Sequence, residues 1–217
     1  MKFVVTAGPT REPLDPVRFL SNRSSGKMGY AIAAAALEEK HRVVLISGPV
    51  ALPVPLGAEI IRVTTGDEMF EAVSAQLADC DLLVMCAAVC DYKPVEPSPQ
   101  KMKKQRVSFS LALTPTRDIL ASLTRPDHDC FIVGFAAETQ ELEGNAQRKL
   151  REKNCDMMVA NDVSSAEVGM DSDDNELTIF SKSGERQNLP RAKKTELARA
   201  LLKIILNVRE KCLTKKT

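Results

Sequence analysis

At 217 residues the chain is long enough to bury one sizeable core, and its length predicts a single nucleotide-binding domain over 1–217. It is 44% hydrophobic and 27% charged, and no apolar run nears the roughly 18 residues that a membrane helix needs, so a soluble protein with no membrane partner is expected. A formal net charge of +1 speaks against a general polyanion binder, so no nucleic acid is expected and basic chemistry must be local.

Met1 and Lys2 lead straight into Phe3-Val4-Val5 without a secretory pattern, which predicts a cytoplasmic location. Six cysteines, at 80, 86, 90, 130, 155 and 212, form no CxxC pair and lie mostly in or beside strand-like runs. They read as buried reduced thiols. His41 and His128 stand away from any cysteine pair at ligand spacing, so no metal site built from protein nitrogen and sulfur is expected.

KFVVTAG is a β-branched run closed by Gly8, as a buried parallel strand requires. A long loop follows. From Ser25 to Glu39, Met28, Tyr30, Ile32, Ala33, Ala36 and Leu37 recur at helical spacing, with Ser24 or Ser25 as N-cap. Strands are predicted at 42–47 and 58–63, joined by the turn-rich GPVALPVP, then a helix over 66–77 and a strand over 81–86. Tyr92 to Gln105, with three prolines and a lysine cluster, opposes helix and central strand alike and predicts a mobile loop. Helical segments at 118–124 and 141–152 alternate with strands at 131–135 and 156–160. A late hairpin over 176–189 and a helix over 191–211, with Leu197, Leu201, Ile204, Ile205 and Val208 on one face, complete the chain. This alternation predicts an α/β, doubly wound, mostly parallel Rossmann-like sheet with helices on both faces and a small added β-hairpin, its ligands lying beyond the carboxyl ends of the strands.

The stretch LSNRSSGKMG resembles a phosphate loop without being one of the two common kinds. Ser21 holds the first glycine position of a Walker A loop and Met28 replaces the hydroxyl residue after Lys27. Only Gly26 and Gly29 of a dinucleotide fingerprint are present, far from the first strand. Ser24, Ser25 and Gly26 would still offer hydroxyls and backbone N–H groups to a phosphate at a helix start; a capped helix packed on the first strand is the plainer reading. The preceding excursion, GPTREPLDPVRFLSN, is longer than a connector requires and carries two arginines and an asparagine. Arg11 and Arg18 suit carboxylate or phosphate, or salt bridges to Glu12 and Asp15, while the Asn22 amide can donate to a reacting oxygen.

Three further clusters fall at strand ends. Ala87 and Ala88 could admit a flat ring, with Asp91 accepting from a ribose hydroxyl, or simply form a tight strand end. Lys101 to Lys104 is either a solvated charge run or a loop that closes on a triphosphate. Phe135 lies in GFAAET, and Lys149 and Lys153 share one face of the next helix.

In order, TAGPTREPLDPVRFLSNRSSGKMG, AAVCDY, KMKK, GFAAET and ANDV closely resemble phosphopantothenoylcysteine synthetase, the ligase of coenzyme A biosynthesis, from Val4 to about Leu202. The resemblance implies attack of the 4′-phosphopantothenate carboxylate on CTP, giving an acyl-cytidylate and pyrophosphate, then attack by the cysteine amine with release of CMP. It implies Mg²⁺ with the nucleotide, a homodimer, and a stand-alone synthetase without the flavin-dependent decarboxylase that often precedes this domain, hence without FMN. On the same ground Asn22, Arg18 and Lys101 are the expected catalytic residues. Gly8, Ser24, Ser25, Gly26, Ala87, Ala88, Asp91, Phe135, Lys149 and Lys153 are the expected nucleotide-binding residues. Arg23 stands where the family string has histidine, and Cys90 where alanine is commoner. The residues alone leave the choice of CTP or ATP open. Two other readings are a non-catalytic nucleotide-binding regulator and a Rossmann oxidoreductase, the latter opposed by Ser47-Gly48 where an acidic residue is required.

Overall fold

The computed structural model describes residues 1–104, 108–123, 130–163 and 172–214. In chain order it contains β1 (Lys2–Ala7), β2 (Arg11–Pro13), β3 (Phe19–Ser21), α1 (Lys27–Glu38), β4 (Arg42–Ser47), β5 (Glu59–Arg62) and α2 (Gly66–Gln76). Then come β6 (Leu82–Met85), β7 (Tyr92–Pro94), β8 (Leu113–Pro115), α3 (Ile119–Leu123), β9 (Phe131–Glu138) and α4 (Leu142–Glu152). The last elements are β10 (Met157–Asp162), β11 (Asp174–Ser181), β12 (Arg186–Lys193) and α5 (Lys194–Thr214).

Eight strands form one sheet in the order β12-β11-β10-β9-β6-β1-β4-β5. The six from β10 to β5 are parallel, and β11 and β12 add on antiparallel. The predicted hairpin is therefore the edge of the main sheet. Alternate side chains of each strand supply two cores, because successive side chains point to opposite faces. Phe3, Val5, Leu45, Val84, Val159 and Ile179 pack beneath α1 and α5, while Val4, Val44, Leu83, Ile132 and Met158 pack against α2, α3 and α4. On α5, Leu197, Leu201, Ile205 and Val208 are buried as their spacing predicts. From β1 the order passes to β4 on one side and to β6 on the other, which opens a crevice at the carboxyl ends of β1 and β6.

Three local expectations are corrected. The excursion after Gly8 is no plain loop, because β2 and β3 pair within it, and Tyr92 to Pro94 pairs with Leu113 to Pro115 in a second ribbon. Helix α1 is capped by neither serine: Gly26 is the N-cap, at φ 77°, with no side-chain cap bond. A left-handed backbone there favours glycine over any residue with a Cβ. Gln105, Thr124 and His128 lie outside the described residues. The six cysteines are unbridged, with Cys80, Cys90, Cys130 and Cys155 buried. Among the described residues, no helix is long and apolar enough to cross a membrane.

Candidate active site

The crevice is assembled by bonds between the segments leaving β1 and β6. Thr6 is fully buried on β1, and its hydroxyl oxygen accepts the N–H groups of Cys86 and Ala87 at 3.1 Å each, turning the chain just after β6. Beyond it, Ala88 N–H donates to Gly8 O at 2.9 Å, Thr10 N–H to Ala88 O at 3.1 Å, and Cys90 N–H to Thr10 Oγ1 at 3.0 Å. Backbone packing is tight here: a Cβ on Gly26 would lie 3.3 Å from Gly8 Cα, and one on Gly29 only 2.9 Å from Thr6 O. Glycine at position 29 thus lets α1 start directly over the end of β1. The Gly8 backbone supports the floor, whereas its neighbours across the crevice form the walls.

Two cavities open on this floor. The first, about 340 Å³, is lined by Asn22, Ser24 to Gly29, Cys86 to Val89, Asp91, Phe135, Ala137, Asn161, Asn175 and Lys194. The second, about 310 Å³, is lined among others by Thr116, Arg117, Asp118, Lys149 and Lys153. Ala87, Val89, Asp91 and Phe135 belong to both, so the cavities adjoin along the carboxyl end of β6. Ser24, Ser25 and Gly26 are brought together with Ala87, Ala88, Asp91 and Phe135, while Lys149 and Lys153 face the neighbouring cavity.

Charge is arranged differently in the two. In the second, Lys149 Nζ lies 2.7 Å from Glu138, Lys153 pairs with Asp118, and the Arg117 guanidinium stacks over Phe70 at 4.1 Å. These partly exposed cations are each held by an ion pair or a ring contact. In the first cavity, the open N-terminus of α1 presents backbone N–H groups. The Cys86 thiol is pushed up to about 12 by burial, so it stays protonated and is no nucleophile at neutral pH.

Asn22 lines the first cavity with its amide N–H₂ already engaged. Its Nδ2 donates to Ala88 O at 3.1 Å and Val89 O at 3.0 Å, so the amide hydrogens are spent on the floor and Oδ1 is the atom left to offer. Arg18 and Lys101 are not brought into either cavity. Arg18 NH2 and Nε bind Asp15 Oδ2 at 2.5 and 3.0 Å, and NH2 also donates to Met102 O at 2.6 Å. Lys101, beside Met102, is exposed on the same flank. Asp15 is buried and also accepts from Val17, Arg18 and Met102 N–H groups, and the Arg18 guanidinium holds its carboxyl far below the usual range. Arg11 stacks on Phe19 at 4.5 Å, and Glu12 accepts from Gly66 N–H at the start of α2. Arg11 and Glu12 are thus structural.

Residues outside the sequence prediction complete both cavities. Thr116, Arg117 and Asp118 follow β8, and of these only Asp118 fell in a predicted element, the helical segment over 118–124. Asn161 lies in the ANDV string at the end of β10, a position where this fold places ligands. Asn175 and Lys194 had no local signal, because they arrive from the far hairpin and the last helix.

A family model described as the DNA/pantothenate metabolism flavoprotein C-terminal domain matches residues 1–208. The chain belongs to this family. It is 45% identical over 205 residues to the coenzyme A biosynthesis bifunctional protein CoaBC of Vibrio vulnificus (strain YJ016), covering 93% of this chain and 51% of that protein. Against CoaBC of Bacillus subtilis (strain 168) it is 46% identical over 203 residues, covering 93% and 50%. The chain thus spans about half the length of these curated relatives. The crystal structure of the C-terminal domain of CoaBC matches with a TM-score of 0.82 at 40% identity, covering 97% of this chain and 98% of that one. The sheet is thus shared with that solved domain, and here β4 ends in Ser47, whose hydroxyl donates to Gly48 O and accepts from Tyr30 OH. No carboxylate stands there to hold a dinucleotide ribose.

Proposed function

We propose that this chain is a phosphopantothenate–cysteine ligase working through an acyl-nucleotide intermediate. The observation that carries the reading is the pair of adjoining cavities sharing Ala87, Val89, Asp91 and Phe135, one set with lysines and an arginine, the other with helix N–H groups. Relatives named for coenzyme A biosynthesis support placing the reaction there. A nucleoside triphosphate occupies the cavity of Lys149 and Lys153, and the acyl substrate occupies the other, so that carboxylate and α-phosphorus meet at the shared floor.

In the first step a carboxylate oxygen attacks the α-phosphorus, the bond to the β-phosphate oxygen breaks, and pyrophosphate leaves. Two anions repel, and the cations on either side lower that cost while the walls hold the reactants aligned. In the second step the cysteine amine attacks the acyl carbon, CMP leaves with the bonding electrons, and the amine proton is lost. In this reading Asn22 Oδ1 accepts a hydrogen bond from that amine. Cytosine as the base follows the family resemblance. Magnesium would enter on the triphosphate, whose charge it offsets.

The same reading includes a homodimer. Val17, Phe19, Tyr92, Val95, Phe109 and Leu113 are exposed on and beside the two ribbons. Exposed apolar residues concentrated on one flank mark an interaction surface. A second copy there puts Arg18 and Lys101 at a subunit boundary, where residues outside both cavities can still reach a substrate. Six unbridged cysteines fit a reducing cytoplasm. The test is pyrophosphate release with 4′-phosphopantothenate, cysteine and each of the four nucleoside triphosphates in turn. Release dependent on both partners and fastest with CTP is expected; folded protein releasing none with any nucleotide overturns the assignment.

A further inference from the structure

The amino ends of β6 and β9 lie at the opposite edge of the sheet from the crevice, and two thiols meet there. Cys80 stands two residues before Leu82 and Cys130 directly before Phe131, the residues that β6 and β9 set side by side in parallel register. Although the two cysteines are 50 positions apart in the chain, Cys130 Sγ lies 3.0 Å from Cys80 Sγ. The backbone around them is fixed: Phe131 N–H donates to Asp81 O at 3.0 Å, and Asp81 N–H donates to Lys2 O at 3.1 Å. Among the described residues no other two thiols are joined in this way. The two sulfurs are also unlike each other. The hydrogen bond from Cys130 lowers the Cys80 pKa against the effect of burial, helped by the Leu82 N–H, the Lys2 ammonium and the Val4 N–H. The same bond, together with burial, raises that of Cys130. Burial pushes Cys86 and Cys155 up to about 12.

We propose that Cys80 and Cys130 form a redox modification site, at which a hydroperoxide converts the two thiols into a disulfide that ties the start of β6 to the start of β9. The thiolate is the reacting form, so Cys80 attacks first and Cys130 resolves. With hydrogen peroxide, Cys80 Sγ attacks one oxygen, the O–O bond breaks, and the departing hydroxide takes up the Cys80 proton and leaves as water. Cys130 Sγ then attacks the sulfenic sulfur, the S–S bond forms, the S–O bond breaks, and the oxygen leaves as a second water with the Cys130 proton. The two thiols lose two electrons and the peroxide gains them. A sulfur already in contact intercepts the sulfenic acid before it oxidises further, and only a small side-chain adjustment separates the pair from a bond. At 7% and 6% exposure the two residues are covered by protein but not sealed, which admits a solute of the size of peroxide and keeps larger disulfide reagents away. The new bond closes a loop containing β6, β7, β8 and α3, so it restrains the unfolded chain. The proposal is independent of the ligase reading.

The experiment exposes the folded, reduced chain to a few equivalents of hydrogen peroxide, alkylates it in denaturant and maps its peptides by mass spectrometry. Two of the six thiols are expected to resist alkylation, in one linked peptide that joins Cys80 to Cys130, has lost two hydrogens and is restored by dithiothreitol. In C130S, dimedone is expected to trap a sulfenic acid on Cys80, whereas in C80S no sulfenic acid forms on Cys130. The oxidised parent is expected to melt about 4–12 °C above the reduced one, a gain absent from both variants. Six alkylated thiols in the treated parent, a link between other cysteines, dimedone on Cys130 in C80S, or an unchanged Tm in the linked chain overturns the site. Should either variant not fold, the parent's linked peptide and its Tm decide alone. A chain that forms the link but releases no pyrophosphate loses the ligase reading and keeps this one.

Discussion

Asn22 and Ala88 are joined by a 3.1 Å bond from Nδ2 to the main-chain carbonyl, and a second bond from the same nitrogen reaches Val89 O at 3.0 Å. One side chain at the end of β3 thus holds the floor that both cavities share. Two carbonyl oxygens facing one amide fix which of its atoms is nitrogen, since the oxygen would be repelled there.

Replacing Asn22 by Asp sets a carboxylate against those two carbonyls and removes both bonds. Turnover is expected to fall by 10²-fold or more, the order seen when a positioned polar group at a reacting centre is lost, while thermal unfolding shifts little because Asn22 is exposed. Steady-state rates beside a melting curve check this, and a near-normal rate removes Asn22 from the mechanism.

Lys149 and Lys153 should act on nucleotide affinity. Lys149→Met is expected to raise the KM for the triphosphate about 10–100-fold, the range for losing one charge-assisted hydrogen bond, with the KM for phosphopantothenate unmoved. The split between the two KM values is the readout. A rise in the KM for phosphopantothenate instead would reverse the assignment of the cavities.

Gly29 allows α1 to touch β1. A Cβ at this position would fall 2.6 Å from Ala7 Cβ and 2.9 Å from Thr6 O, and backbone cannot move aside cheaply. Gly29→Ala is expected to cost about 1–3 kcal/mol and to lower Tm by roughly 2–10 °C at this chain length. Differential scanning calorimetry measures the shift. An unchanged Tm would show that the helix is free to lift off the strand.

Asp15 gives the β2–β3 ribbon a pH dependence. Its folded-state pKa is lowered, chiefly by the Arg18 side chain, so the ionised form is favoured on folding. Its contribution is complete above the ordinary carboxylate value of about 3.9 and is lost as pH falls below it toward the depressed folded value. Between pH 5 and about pH 3, Asp15→Asn is therefore expected to flatten the decline in Tm. Parallel slopes for parent and variant would exclude Asp15 as a source of that decline.

Local pattern carried much of this fold. The β-branched runs at Phe3–Val5 and Val43–Ile46 and the helical spacing of Leu197, Leu201 and Ile205 each report an environment that recurs within a few residues, so strands and helices were legible from neighbours alone. The ribbons were not. Three-residue strands such as Arg11–Pro13 and Tyr92–Pro94 are too short for a periodic signal and exist because partners distant in the chain, Phe19–Ser21 and Leu113–Pro115, supply the other half of each ladder. The capping serines failed for a related reason: the sharp entry into α1 demands a left-handed residue, which only Gly26 meets without strain.

By itself the sequence determined the alternation of strands and helices, and a set of ordered strings that identify the family. It also determined most of the residues at the carboxyl ends of β1, β6 and β9, because the ends of parallel strands converge wherever such a sheet forms. Only the tertiary structure decided that the residues expected to bind the nucleotide divide between two cavities, that Asn22 turns its amide hydrogens to the floor, that Arg18 and Lys101 stand on the flank, and that Lys194 and Asn175 line the first cavity. The physical reason is that side-chain direction and pairing across 66 to 84 residues, as in Asn22 with Ala88 and Arg18 with Met102, are fixed by packing between elements. Local spacing carries no record of them.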